Sequence, residues 1–173
     1  VFAPDRSRLL HELGFPRQEG GRRLCIADFF AAEDSGRFDV LGLQVVTMGE
    51  AAAAHAASLY AADRYSDYFY FHGLATELTE AYAELLHARI RRELGIAGRD
   101  AADLRALFSQ GYQGSRYSYG YPACPDLEGN APLLDLLGAP DLGIGLTEGF
   151  QMTPEYTTSA LVAWHPQARY FSV

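Results

Sequence analysis

The segment from Gly111 to Asp126 contains the residue types best suited to holding a ligand. It is rich in glycine, tyrosine and proline and follows neither a helical nor a strand period. Long irregular segments are often functional, and glycine allows the backbone to approach a ligand closely. The four tyrosines of the segment offer flat apolar faces with a hydroxyl at the rim. Arg116 is its only cation and could hold a carboxylate through two parallel hydrogen bonds.

The same residues also fit a purely structural interpretation. In that case the segment is a loop packed by its own tyrosines, and Arg116 pairs with a surface acid. The residue types leave both interpretations open. The rest of the chain gives little sign of a catalytic site. No paired acid or nucleophile motif accompanies His55, His72 or His165. Cys124 lacks a CxxC partner or a flanking cation, so we expect it to pack rather than react.

The composition indicates one globular domain. The chain has 173 residues, 49% of them hydrophobic and 21% charged, which allows a sizeable core. A net charge of -8 argues against nucleic acid or an anionic membrane surface as a partner. No apolar run reaches the roughly 18 residues that a membrane span needs. We expect a soluble cytoplasmic domain, with Cys25 and Cys124 reduced and mostly buried.

The two ends of the chain suggest a piece of a larger protein. Val1 is not an initiator Met, and the residues after it have no signal-peptide pattern. The last residues, up to Val173, stop within a strand-like pattern. Residues 1–173 are therefore expected to be one domain cut from a larger protein.

The order of the predicted elements favours an α+β fold, with a mainly antiparallel twisted sheet and packed helices. Apolar periodicity and capping residues predict helices over 4–13, 50–62, 74–94, 100–108 and 131–138. Apolar and β-branched runs predict strands over 24–30, 38–48, 142–146, 157–164 and 169–173. The first two strands are expected to form a hairpin, as are the last two, which His165–Ala168 would join.

One face of the helix after Leu74 is acidic. Glu77, Glu80, Glu84 and His87 fall opposite the apolar positions of this helix. Such a set is typical of a solvated helix face, and we favour that interpretation for Glu77, Glu84 and His87.

The segment from Arg116 to Asp126 resembles a family signature. Its sequence, RYSYGYPACPD, agrees at every fixed position with RxxxGYxACPD of the cobalamin-dependent methionine synthase activation domain. Residues 15–18 (FPRQ), 43–49 (LQVVTMG) and 146–152 (LTEGFQM) also resemble the family and occur in its order. The resemblance spans residues from about 15 to the end of the chain.

The resemblance implies a role in enzyme reactivation. Domains of this family bind S-adenosylmethionine (AdoMet) and present its methyl group when the cobalamin has been oxidised to inactive cob(II)alamin. The cobalamin is held by another domain of the same enzyme, and flavodoxin or a related reductase supplies an electron. The domain would therefore act as a binding module without complete activity and without a catalytic side chain of its own.

The resemblance also implies a set of binding residues within the signature. Arg116 matches an arginine that contacts AdoMet, where a salt bridge to the ligand carboxylate is the natural chemistry. Ser118 and Ala123 fall where loop backbone faces the ligand. Tyr121 matches a tyrosine that lies near the corrin when the domains dock.

Further matches lie outside the signature. Asp28 matches an aspartate that binds AdoMet, where it could accept from the ligand ammonium. Tyr170 matches a ligand-contacting tyrosine, and Phe171 stands where some members have a second tyrosine. Glu80 matches a helix glutamate close to the ligand, so a ligand-binding role and a solvated role stay equally open for it. Gln110 replaces a glutamate found in another branch, which puts a charge-pairing role there in doubt.

Two other functions compete with reactivation. A freestanding AdoMet-dependent methyltransferase is the first, although no glycine-rich strand-to-helix loop of the Rossmann type is present. The second is a partner of another corrinoid protein, either binding AdoMet or having lost that ability. The presence of Arg116 and Tyr121 argues against such a loss.

Overall fold

The computed structural model describes all residues from Val1 to Val173 and shows an α+β fold, as expected. The α-helices are α1 (Gly49–Ala61), α2 (Tyr65–Glu93), α3 (Leu104–Phe108) and α4 (Asn130–Leu137). The strands are β1 (Gly42–Thr47), β2 (Ser115–Tyr117), β3 (Gly145–Leu146), β4 (Met152–Thr153) and β5 (Thr157–Ala163). Short 3-10 turns span Ile26–Phe29, Glu33–Ser35, Ala97–Arg99, Leu127–Gly129 and Ala139–Leu142.

Two small antiparallel sheets organise the chain. The larger has the strand order β1-β5-β2, and β3 pairs with β4 in the other. In the larger sheet Val45 lies opposite Ser159, and Arg116 lies opposite Val162. The central strand, β5, thus aligns β1 and β2, which come from distant parts of the sequence.

The predicted N-terminal hairpin is wrong. Residues 24–30 do not form a strand; Ile26 and Phe29 instead point into the core from one 3-10 turn. The carboxylate of Asp28 accepts from the Cys25 backbone N–H at 3.1 Å, which stabilises the turn locally. The second predicted strand is shorter than expected, and as β1 it pairs with β5. The expected helix over 4–13 is also absent.

The predicted C-terminal hairpin is wrong as well. Residues 157–163 form β5 as expected, but residues 169–173 are not a strand. Single hydrogen bonds hold this segment, including one from the Tyr117 hydroxyl to the Arg169 carbonyl at 2.8 Å. Phe171 packs into the main core. Tertiary contacts with side chains therefore replace the expected ladder of backbone bonds. The strand predicted over 142–146 shrinks to β3.

The predicted helices are present with shifted ends. α1 and α4 lie within one residue of expectation, and α3 is shorter than predicted. α2 begins nine residues before the predicted start, at Tyr65, and has 29 residues. Gly95 follows its end with a φ of +73°, a left-handed conformation that favours glycine.

The buried face of α2 differs from the one predicted from the sequence. Ala75, Thr79 and Ala83 are buried, and small residues there allow the helix to pack closely on β1 and β5. His87 is fully buried and Glu84 mostly so, which makes their predicted solvated position wrong; Glu77 is exposed as predicted. The opposite face carries an apolar stripe of exposed residues: Tyr70, Leu74, Leu78, Tyr82 and Leu85.

The core has two parts. The larger cluster contains 14 buried residues, among them Tyr117, Leu133 and Leu161, so β2 and α4 pack against the centre of the sheet. A smaller cluster of Ala56, Ala75 and Tyr156 joins α1 to α2. Both cysteines are free and buried, which confirms that prediction. None of the helices combines the length and hydrophobicity needed to cross a membrane.

Candidate ligand-binding groove

A groove of about 330 Å³ opens between α2, the larger sheet and the C-terminal segment. A volume of roughly 300–1,000 Å³ is typical of small-molecule sites. The residues that line the groove are Gln44, Glu80, Ala83, Gln110, Tyr112, Arg116, Ser118, Tyr121, Thr158, Ser159, Ala160 and Tyr170. Five residues expected to bind the ligand therefore line one groove.

Arg116 is the cation of the groove. Its neighbours Ser115 and Tyr117 are fully buried on one side of β2, so strand alternation turns Arg116 to the other side. Its Nη2 lies 3.5 Å from Glu80 Oε2 and 3.9 Å from Glu84 Oε2. Its Nη1 is buried without a hydrogen-bond partner. A buried donor of this kind favours binding of an anion, which would satisfy it.

A buried charge cluster lies next to Arg116. The Nε of Arg91, a fully buried residue, donates to both carboxylate oxygens of Asp100 at 3.0–3.1 Å. Its Nη1 lies 3.5 Å from Glu84 Oε1, so Glu84 faces both arginines. Burial, reinforced by Arg91 and Arg116, lowers the pKa of His87 to about 3. His87 is consequently neutral near pH 7, and the cluster adds no free positive charge to the groove.

The tyrosines of segment 111–126 divide into two pairs. Tyr112 and Tyr121 line the groove, whereas Tyr117 and Tyr119 are buried in the main core. Burial raises the pKa of both core tyrosines to about 12. Two of the four tyrosines therefore line the groove, and the other two fit the self-packing interpretation.

A tight turn places Tyr121 at the rim of the groove. Gly120 has a φ of +84°, and a Cβ there would lie 2.7 Å from the Leu127 side chain. Backbone bonds from Tyr121 N to Ser118 O and from Cys124 N to Tyr121 O close the turn. About half of the Tyr121 side chain is exposed, so a partner surface can reach its ring.

The structure leaves three expected binding residues outside the groove. Asp28 forms two 2.6 Å bonds with the Arg17 guanidinium, a pairing that lowers the pKa of the Asp28 carboxyl. Phe171 and Ala123 are buried in the main core. The Asp28 carboxylate is therefore already paired, with an arginine of the same N-terminal loop region.

Residues 6–173 match the family described as vitamin B12 dependent methionine synthase, activation domain. The chain belongs to this family.

Relatives support the assignment. Over 169 residues, covering 92% of this chain, the activation domain is 45% identical to the methionine synthase of Mycobacterium tuberculosis (strain ATCC 25618 / H37Rv). It is 42% identical to that of Mycobacterium leprae (strain TN) over the same length. In each case the match spans 14% of the relative, so these relatives are far longer than this chain.

A solved structure shares the fold. The crystal structure of the MetH reactivation domain bound to AdoHcy superposes with a TM-score of 0.90 at 31% identity. The match covers 99% of this chain and 55% of that one. The α+β architecture and the family of this activation domain are therefore both confirmed.

Sequence reasoning missed the floor of the groove. Gln44 of β1 is buried and donates from Nε2 to the Ala83 carbonyl at 3.2 Å. Ser159 of β5 is also buried and donates to Asn130 Oδ1 at 3.1 Å. The available signal was a polar residue within an apolar strand, because a glutamine in LGLQVV needs a partner when the strand is buried.

Proposed function

We propose that this activation domain binds AdoMet in the groove and presents its methyl group for reductive remethylation of cob(II)alamin. The cobalamin would be held by another domain of a longer cytoplasmic methionine synthase, with flavodoxin or a related reductase as electron donor. Family membership supports this function over a freestanding methyltransferase. The similar MetH reactivation domain was solved with AdoHcy, which supports an adenosyl ligand.

The pairing of Arg116 with Glu80 carries the proposal. A guanidinium and a carboxylate lie 3.5 Å apart on the groove wall. They match the carboxylate and ammonium of a ligand that ends in an α-amino acid. Arg116 Nη1, buried and without a partner, is the donor that a ligand carboxylate would satisfy. Glu80 is half exposed and could turn from Arg116 to the ligand ammonium.

The remaining lining suits the adenosyl part. Tyr170 offers an aromatic face to a planar base. Thr158, Ser159 and Gln44 present hydroxyl and amide groups along the sheet, where a ribose or an adenine edge needs hydrogen bonds. Small side chains at Ala83 and Ala160 leave room between these groups.

The role of the domain in methyl transfer is one of positioning. AdoMet, when bound, supplies a methyl group on a positively charged sulfonium. Transfer of that group depends on the distance and alignment of donor and acceptor more than on acid–base assistance. Arg116 and Glu80 would fix the amino acid end, Tyr170 would hold the base, and the open rim at Tyr121 would admit the acceptor.

Calorimetric titration tests the binding step. We expect AdoMet and AdoHcy each to bind at one site per chain. 5′-Methylthioadenosine, which lacks the amino acid end, should bind more weakly than both, because it cannot engage Arg116 or Glu80. Equal binding of all three would contradict the role of the charge pair, and no binding by the folded chain would contradict the proposed function.

A further inference from the structure

One carboxamide connects the two walls of the groove. We infer that Gln110 is a positioning residue, which sets Tyr170 relative to Arg116 and thereby determines the shape of the site. The inference rests on the proposed function for its ligand, but the underlying contact can be measured without one.

The contact consists of two hydrogen bonds from one side chain. Gln110 Nε2 donates to Ser115 Oγ at 2.8 Å, and Gln110 Oε1 accepts from the Tyr170 backbone N–H at 3.1 Å. Ser115 is fully buried at the start of β2 and directly precedes Arg116. The carboxamide therefore spans from the strand that carries Arg116 to the segment that carries Tyr170.

The C-terminal segment needs such a tether. It forms no strand, so no ladder of backbone bonds fixes its register. Three other hydrogen bonds hold the Arg169 carbonyl, the Ser172 carbonyl and the Val173 N–H, and the Arg169 guanidinium donates to two nearby carbonyls. The Tyr170 ring stacks on Tyr117, and its N–H is bonded to Gln110, so Gln110 tethers the backbone of the residue that faces the groove.

The backbone around Gln110 fixes the direction of its side chain. Gln110 has a φ of +58°, a left-handed conformation that is unfavourable for a residue other than glycine. At Gly111 a Cβ would lie 2.5 Å from the Ala106 carbonyl oxygen, so nothing larger than glycine fits there. Backbone bonds from Gly111 N to Ala106 O and from Ala101 N to Gly111 O hold the turn. Such strain at a groove wall is expected where the side chain has to point one way.

The chemistry of a carboxamide predicts which substitutions preserve the bridge. Glutamate keeps an acceptor for Tyr170 N–H, and the Ser115 hydroxyl can rotate to donate to its second oxygen. Leucine has a similar size but neither donor nor acceptor. Asparagine tolerates the left-handed conformation but is one methylene shorter, so it cannot reach both partners.

The experiment follows the Tyr170 amide by hydrogen exchange in NMR spectra. We expect Gln110→Leu and Gln110→Asn to accelerate exchange of that amide about tenfold, as for loss of one hydrogen bond, and Gln110→Glu to keep it slow. The affinity for AdoHcy should fall by roughly three- to tenfold in the Leu and Asn variants and stay within about threefold in the Glu variant. AdoHcy is the better probe, because its thioether is uncharged and is less sensitive to the added glutamate charge than a sulfonium.

Gln18→Leu is the matched control. Gln18 Nε2 donates to the Ser172 carbonyl at 2.6 Å and does not line the groove. This variant should leave the Tyr170 amide and AdoHcy affinity within about twofold of the parent protein, as is usual for a change away from a site. Equal effects of Gln18→Leu and Gln110→Leu would overturn the inference, since any loosening of the segment would then suffice.

The remaining outcomes are also decisive. Unchanged Tyr170 exchange in the folded Gln110→Asn variant would overturn the inference, as would faster exchange with unchanged AdoHcy affinity. If Gln110→Leu does not fold, Gln110→Asn and Gln110→Glu still provide the comparison. Failure of the parent protein to bind AdoHcy would overturn the proposed function, and Tyr170 exchange would still show whether Gln110 positions that residue.

Discussion

Arg116 is the single side chain on which ligand binding should depend most. Arg116→Ala removes a charge-assisted contact to the ligand carboxylate, with an expected cost of about 1.5–3 kcal/mol, or roughly ten- to more than a hundredfold in AdoMet affinity. Lysine should restore the affinity only in part, because it cannot form the planar two-point contact. Arg89→Ala is the control, since Arg89 is exposed on α2 and pairs with Glu93. Titration that gives equal affinities for Arg116→Ala and Arg89→Ala would contradict the role of Arg116.

Tyr121 should matter for a later step than Arg116. Its ring lies at the rim and is half exposed, so its removal should change AdoMet affinity by no more than a few-fold. In a methionine synthase that contains this domain, Tyr121→Ala should slow recovery of methylcobalamin from cob(II)alamin, as followed by absorbance. Turnover of the enzyme that is already in its active methyl cycle should be largely unchanged. Loss of AdoMet binding in Tyr121→Ala would instead place the ring in the ligand pocket.

His87 should make the stability of the fold pH-dependent. Its pKa of about 3 in the folded protein lies below the usual histidine value of 6.5, because burial and the nearby Arg91 and Arg116 disfavour the charged form. The unfolded chain therefore binds more protons between these two values, and stability should fall as pH drops below 6.5, by up to about 1.4 kcal/mol per pH unit. Urea unfolding between pH 7.5 and 4.5 measures this slope.

His87→Gln tests whether His87 causes this fall of stability with pH, because glutamine does not titrate. Carboxyl groups with lowered pKa, such as Asp28, lose their contribution only at more acidic pH. We expect the variant to have a flatter dependence between pH 6.5 and 4.5. Equal slopes for the two proteins would show that another group controls acid stability in this range.

At the scale of elements, α2 shows why a sequence pattern can mislead. Its largest apolar residues suggested an inward face, but the residues that pack on the sheet are small. Close approach to the sheet needs small side chains. Glu84 and Arg91 can be buried because Arg91 pairs with Glu84 and with Asp100, and the neutral His87 packs against Tyr112 in a T-shaped contact. A count of large apolar residues cannot detect a face of this kind.

Two adjacent residues of α2 test this orientation. Ala75 is almost fully buried between α1 and α2, whereas more than half of Leu74 is exposed. Ala75→Leu should overfill the contact and destabilise the fold by about 1–3 kcal/mol. Leu74→Ala should change the free energy of unfolding by no more than roughly 0.5 kcal/mol, as at other surface positions. Urea denaturation that finds the larger loss in Leu74→Ala would contradict the orientation of the helix.

Strand pairing was predictable only in part. Apolar runs located β1 and β5 well, because each run is long and β-branched. The partner of β1 was not predictable, because the centre of β1 is nearly all apolar on both faces. Such a pattern does not specify the register of strand pairing. The pairing of Thr47 with Thr157 joins residues 110 positions apart, and their hydroxyls lie 2.8 Å from each other. Long-range pairing of this kind is set by the tertiary fold.

At the scale of the whole molecule, the signature in segment 116–126 predicted the family and the ligand class. It could not predict which elements complete the site. Gln44 and Ser159 come from strands that were expected to lie in different hairpins. Asp28 matched the family in residue type but lies away from the groove, because Arg17 holds it. A residue-by-residue match thus predicts residue types, and the structure is needed to show which side chains line the same groove.

The apolar stripe on α2 has a consequence for the behaviour of the isolated chain in solution. Five apolar side chains run for about 22 Å along one exposed helix face. At low ionic strength the net charge of -8 should keep copies of the chain apart by mutual repulsion. Salt screens that repulsion within about 10 Å at 0.1 M but leaves hydrophobic attraction intact. We therefore expect light scattering to show a second virial coefficient that becomes negative as salt is added, and Leu74→Lys with Leu78→Lys to keep it positive at the same salt concentration.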